Sequence, residues 1–218
     1  MARRLKVKWD GGEAVDALLE VPKPGGRIGV LLAHGAGAGQ RHRFMEQVRK
    51  GFASLGVTAM TFDYSYVQAG RKAPDRMPKL LAVHKAAADR LATYVDGVVL
   101  GGKSMGGRVG SHLAGDEKWP AAGMLYLGYP LVPLRTGEPR PTDHLERIAA
   151  PQLFFAGTRD RMSPPDLIAS LVKKLPAAAL NVVEFGDHSF KVPKKSGKAT
   201  RDVIDGIVAD AAQWVQSL

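Results

Sequence analysis

The chain has no cysteine. That absence removes disulfides, thiolate metal sites and cysteine nucleophiles together, and it suits a reducing compartment, so a cytoplasmic location is expected. Long apolar runs are also missing. The longest clearly apolar stretch, Ile28 to Ala33, is far short of the roughly 20 residues that cross a bilayer, and no membrane partner is expected. The basic start, MARRLKVKWDGG, alternates Lys6 and Lys8 with Val7 and Trp9 instead of entering an apolar segment, so it reads as mature protein and not as a leader.

Acidic residues are the scarcer charge, 21 against 31 Lys and Arg, which leaves a formal net charge of +10. Such an excess can mark an acidic partner, so its distribution matters. The densest pairs, Arg3-Arg4, Arg71-Lys72, Lys173-Lys174 and Lys194-Lys195, are scattered and not interleaved with aromatic residues. They read as solvated surface, and nucleic acid is not expected as a partner. With 45% hydrophobic residues, 218 residues can bury one substantial core but not two ordinary domains and a linker, so one domain over 1–218 is expected.

Strand-like segments lie at Leu5 to Trp9, Ala14 to Val21, Ile28 to Ala33, Val57 to Phe62, Val98 to Gly101, Gly123 to Leu127, Gln152 to Ala156 and Leu180 to Phe185. From Ile28 onward they are nearly continuous apolar runs, the pattern of parallel strands covered on both faces. Helical spacing appears at Phe44 to Leu55, Pro78 to Val95, Ser104 to Ala114, Pro165 to Leu175 and Thr200 to Val215. The last carries Val203, Ile204, Ile207, Val208, Ala211 and Val215 as one stripe. Strand and helix in alternation predict a three-layer α/β/α sandwich with a mostly parallel sheet of about seven to eight strands. The irregular stretch from Tyr129 to about Thr142 is too short for a cap domain, so a site at that edge should be open.

The segment after Val98 to Gly101 is GKSMG, Gly102 to Gly106, which fits the GxSxG turn that carries a strained, exposed serine from strand to helix. Such a turn requires small flanking residues, and Gly101, Gly102, Gly106 and Gly107 supply them. The same stretch satisfies a phosphate-loop string, Gly97 through Gly102-Lys103-Ser104. That reading fails physically, because Val98, Val99 and Leu100 are the strand itself and not a solvent-facing cradle. Lys103 then stands beside the nucleophile, a source of positive potential toward an anionic leaving group.

A serine hydroxyl needs an imidazole to take its proton and a carboxylate to hold that imidazole. His188, in FGDHSF after the last strand, is the expected base; His42, His84, His112 and His144 fall in or beside helices and read as surface or helix-face residues. Asp160, in GTRD after the Gln152 to Ala156 strand, is the expected acid, with Asp166 and Asp187 as alternatives. After Ile28 to Ala33 comes HGAGAG, His34 to Gly39, whose small side chains let amides approach a substrate oxygen. The amides of Met105 and Ala36 are the expected oxyanion donors, with Gly37 the alternative for the second. Gly35, Gly37, Tyr64, Tyr66, Met105 and Tyr129 are candidate walls for substrate, and His34 either braces the loop or packs.

Together HGAGAG, FDYSY with GRKAPDRMPKL, GGKSMGGR, YPL, GTRD and GDHSFK resemble the α/β-hydrolase superfamily, in the branch of testis-expressed protein thirty, the third NSL chromatin-complex subunit and small bacterial serine hydrolases. The match runs from about Ile28 to the C-terminal helix. One departure is Ser65, where relatives often carry proline. The resemblance implies the fold and a Ser104, Asp160, His188 triad acting on small or accessible acyl esters, without metal or cofactor. It also keeps open a second class, a binding or scaffold module in which the triad is unused, as in the chromatin subunit. A histidine base predicts activity that falls in acid, around the ordinary imidazole value of roughly 6.5.

Overall fold

A computed structural model describes residues 2–23 and 25–218. Eight strands form one sheet: β1 (Arg3–Val7), β2 (Val15–Glu20), β3 (Ile28–Ala33), β4 (Thr58–Phe62), β5 (Gly97–Lys103), β6 (Gly123–Leu127), β7 (Gln152–Gly157) and β8 (Ala178–Val183). Their spatial order is β1-β2-β4-β3-β5-β6-β7-β8. The first two are antiparallel lead-in strands, and β3 to β8 are mutually parallel. The helices are α1 (Arg43–Ser54), α2 (Ser65–Gln68), α3 (Met77–Ala92), α4 (Met105–Gly115), α5 (Asp143–Glu146), α6 (Pro165–Val172) and α7 (Thr200–Gln216).

Two apolar clusters cover the two faces of the sheet. One joins Leu31, Leu100 and Phe154 to Leu80, Val83 and Leu91 of α3, Val109 and Leu113 of α4 and Ile168 of α6. The other joins Val30, Val99 and Phe155 to Val48 and Phe52 of α1 and Ile204, Ile207, Val208, Ala211 and Val215 of α7. Alternate residues of β3, β5, β6 and β7 serve opposite clusters, which is why these strands carry no polar face, whereas β8, at the sheet edge, is partly exposed. The sandwich is the expected α/β/α architecture.

Sheet order also locates the place where a ligand has room. The chain leaves β3 for β4 on one side and resumes at β5 on the other, with α1 and α4 on opposite faces. Loops after β3 and β5 therefore part at a topological switch point, and a crevice opens at the carboxyl ends of those strands.

Several boundaries differ from the sequence pattern, for local reasons. β1 ends at Val7, paired with Val15, because Trp9 belongs to the hairpin turn, where its indole donates to Glu13 O at 2.9 Å and lies over Gly11 and Gly12. β8 starts at Ala178, in register with Gln152, and Phe185 leaves the strand with φ +60°. α3 begins at Met77 and stops at Ala92, short of Val95, and α6 stops at Val172. β5 continues to Lys103, which pairs with Leu127, so the serine follows the strand directly.

Candidate active site

Ser104 sits between β5 and α4 with φ 50° and ψ −116°, a left-handed conformation that a side chain adopts only under constraint. The constraint is visible. Its N–H donates to Leu127 O at 3.1 Å, its carbonyl accepts from Arg108 N–H at 3.2 Å, and the following turn lies against β3 closely enough that Gly106 has no room for a Cβ. The strain aims the hydroxyl out of the sheet's carboxyl edge.

Two other loops meet it there. Ser104 Oγ is 2.9 Å from His188 Nε2, and His188 Nδ1 is 2.7 Å from Asp160 Oδ2. Asp160 is only 3% exposed, and its second oxygen, Oδ1, accepts the N–H groups of Met162 at 2.8 Å and Ser163 at 3.0 Å. Burial alone would raise this carboxyl. The imidazole hydrogen bond and charge, the Met162 N–H and the Lys103 ammonium outweigh it and hold the group below its ordinary value. An ionised Asp160 only accepts, so Nδ1 donates to it and Nε2 is left to accept from the serine hydroxyl.

The alternative acids are placed elsewhere. Asp166 lies in the first turn of α6, and Asp187 Oδ1 accepts the N–H groups of Ser189 and Lys191, which shapes the loop bearing His188. That loop is anchored by Phe190, fully buried with φ +58° and stacked 6.1 Å from Phe44.

The glycine-rich loop after β3 is braced from below. His34 Nε2 accepts from Tyr64 N–H at 3.2 Å, so Nδ1 carries the proton and donates to Gly35 O at 2.9 Å. Burial keeps this imidazole neutral by lowering its affinity for a second proton. Gln40 ties the far end of the loop to Asp63 through its N–H, 2.7 Å, and its side-chain amide, 2.9 Å. Among the described residues the N–H groups of Ala36 and Met105 have no protein acceptor, the latter because it is the first residue of α4.

Residues 26–216 match the family model of an alpha/beta hydrolase domain. The chain belongs to this family. Solved structures agree on the fold: an α/β serine hydrolase without lid from Xanthomonas campestris is 16% identical with a TM-score of 0.73, covering 98% of this chain and 94% of its own. Dienelactone hydrolase from Anabaena variabilis is 17% identical with a TM-score of 0.77, covering 98% and 96%. The esterase domain of a Rhodothermus marinus protein is 16% identical with a TM-score of 0.75, covering 100% and 98%.

In this α/β hydrolase a cleft of about 390 Å³ lies over Ser104 and His188, and no cap stands above it among the described residues. Gly35, Ala36 and Gly37 line it, as the sequence suggests. Tyr64, Tyr66 and Tyr129 do not. Tyr64 and Tyr66 are fully buried, because α2 starts at Ser65 and turns both rings under the glycine loop. The Tyr64 hydroxyl meets His84 Nδ1 at 2.9 Å. Tyr66, its phenol pushed up to about 12 by burial despite the nearby Gly37 N–H, falls short of hydrogen-bond geometry. Tyr129, 1% exposed, reaches His144 Nε2 at 3.3 Å, and the Met105 side chain packs on the α3/α4 cluster. His84 and His144 are core residues and not surface ones.

The walls of the cleft are instead His42, Phe44, Met45, Met162 and Ser189. Their signal was positional. His42 caps α1, its Nδ1 accepting Phe44 N–H at 3.3 Å, so the first turn of the helix after the glycine loop faces the crevice.

Proposed function

We propose that this protein is a serine hydrolase that cleaves small or accessible carboxylic esters through an acyl-enzyme. The observation that carries the reading is the unbroken relay, 2.9 Å from Ser104 Oγ to His188 Nε2 and 2.7 Å from His188 Nδ1 to Asp160 Oδ2. Ser104 attacks the ester carbonyl as His188 takes its proton, and Asp160 holds the imidazolium that forms. The oxygen of the tetrahedral intermediate accepts from the N–H groups of Met105 and Ala36. His188 returns the proton to the departing alcohol. A water, deprotonated by the same imidazole, then releases the acid and restores the serine. The open cleft, with Phe44, Met45 and Met162 as apolar wall and no cap among the described residues, favours short acyl groups or esters at the end of a larger molecule.

Labelling with a fluorophosphonate and hydrolysis of p-nitrophenyl acetate test the reading. Parent protein is expected to be labelled at Ser104 and to turn the ester over. Ser104→Ala should lose both. Turnover by Ser104→Ala at the parental rate would end the assignment.

A further inference from the structure

Lys103, the last residue of β5, lines the cleft, yet its ammonium is buried instead of reaching into it. The Nζ atom is buried and, among the described residues, has no hydrogen-bond partner. Gly128, after β6, shows where it lies. A Cβ on this glycine would stand 3.3 Å from Lys103 Nζ, 3.3 Å from Asp160 Oδ2 and 3.4 Å from His188 Nδ1. The glycine, with φ +71°, thus leaves a small space around which the ammonium, the carboxylate and the imidazole are gathered. From the loop after β8, Asp187 adds a second negative charge, and the Phe190 ring lies 5.9 Å from Nζ. On the side of the glycine-rich loop the lysine meets Gly35, which brings no charge.

We propose that Lys103 is a positioning residue of the relay, whose buried ammonium is the standing counter-charge of Asp160 and sets how far into acid His188 remains a free base. The inference rests on the reading of Ser104, His188 and Asp160 as a working triad. An ionised, buried Asp160 beside a neutral imidazole needs compensation, and two backbone N–H groups supply only part of it. With the ammonium in place, a proton on His188 would bring a second cation to Asp160, whose charge is already answered. Without it, the imidazolium becomes the only cation answering Asp160 and forms at higher pH. Burial lowers the ammonium to about 8, against the pull of Asp160 and then Asp187, so it carries its charge across the acid range. Interaction between charges separated by one small gap, in a partly buried site, moves proton uptake by about one pH unit.

The test compares kcat/KM for p-nitrophenyl acetate from pH 4.5 to 8 in the parent, Lys103→Met and Lys103→Arg. The acid limb of Lys103→Met should lie about one pH unit above that of the parent, with Lys103→Arg close to the parent. An NMR titration of the His188 ring carbon Cε1, assigned with His188→Asn, reads the same shift without needing turnover. Equal midpoints in parent and Lys103→Met would overturn the proposal, even if the variant lost thermal stability, because a packing role alone leaves the midpoint in place. If the parent neither hydrolyses the ester nor takes the fluorophosphonate label, the hydrolase reading fails while the NMR comparison still decides the role of Lys103. If Lys103→Met does not fold, the parental ring signal decides: a second inflection near the titration of Lys103 is expected, and a single inflection overturns the inference.

Discussion

Gly106→Ala is the smallest change that tests how the nucleophile is held. A Cβ here would stand 2.5 Å from the carbonyl carbon of Ala33 and 2.8 Å from its Cβ, against a backbone paired to β4 on one side and β5 on the other. Carbon atoms rest about 3.5 Å apart or more, so the first turn of α4 has to retreat by roughly 1 Å. Ser104 is two residues upstream, with its Oγ 2.9 Å from His188 Nε2. Misplacing a positioned nucleophile by that much costs on the order of 100-fold in kcat. Overpacking adds about 1–3 kcal/mol of destabilisation, which in a chain of this length lowers Tm by roughly 3–10 °C. Turnover of p-nitrophenyl acetate and thermal unfolding by circular dichroism read the two effects. Gly206→Ala is the control, because the same methyl on α7 meets nothing within 4 Å. It should leave turnover alone and add about 0.5–1 kcal/mol of stability. A Gly106→Ala protein with parental turnover and parental Tm would refute the close-approach argument.

Asp160→Asn should lower kcat by about 1,000-fold or more, because an amide cannot hold the imidazole in the required tautomer; Asp187→Asn, whose oxygen still accepts from Ser189 and Lys191, should cost less than about 10-fold. Steady-state kinetics of the pair check which carboxyl belongs to the relay. Acid should weaken the fold before any carboxylate titrates. Burial pushes His84 down to about 3 and His144 to about 4, so the unfolded chain takes up protons near 6.5 that the native state refuses. Their contribution is complete above pH 6.5 and is lost on descent at about 1.4 kcal/mol per pH unit for each group. Urea midpoints at pH 7, 5.5 and 4.5 should therefore fall steadily, and a flat series would contradict the burial. Met162→Ala opens the apolar wall of the cleft, and a p-nitrophenyl ester series should show the butyrate-to-acetate ratio of kcat/KM rising by about 3-fold or more.

The meeting of Ser104, Asp160 and His188 was legible because it happens where chain pattern is strongest. Ser104, Asp160 and His188 each follow the carboxyl end of an apolar run, β5, β7 and β8, so parallel pairing alone brings three distant loops to one edge. The walls follow a weaker rule. Where Tyr64 and Tyr66 point depends on a four-residue helix, α2, too short to leave a periodic trace, and the Tyr129 direction depends on a partner, His144, carried by the equally short α5. Neither turn has enough repeats for the apolar pattern to choose a face.

Lys103 is the intermediate case, since its direction follows from period two. Along β5, Val98 and Leu100 belong to the α3/α4 cluster and Val99 to the α1/α7 cluster. Continuing that alternation sets Lys103 on the Val99 side, where Phe190 and the His188 loop lie, and not above the serine toward a leaving group. The alternation is a property of any strand, but here its consequence is chemical. Lys103, one position before Ser104, is carried to the Nδ1 side of the imidazole, across the space at Gly128 from Asp160, because the pleat reverses direction between Gly102 and Lys103 while the elbow at Ser104 breaks the pattern with its positive φ. Strain at the serine therefore does two things at once: it presents the hydroxyl to the cleft, and it separates the direction of the hydroxyl from that of the ammonium just before it.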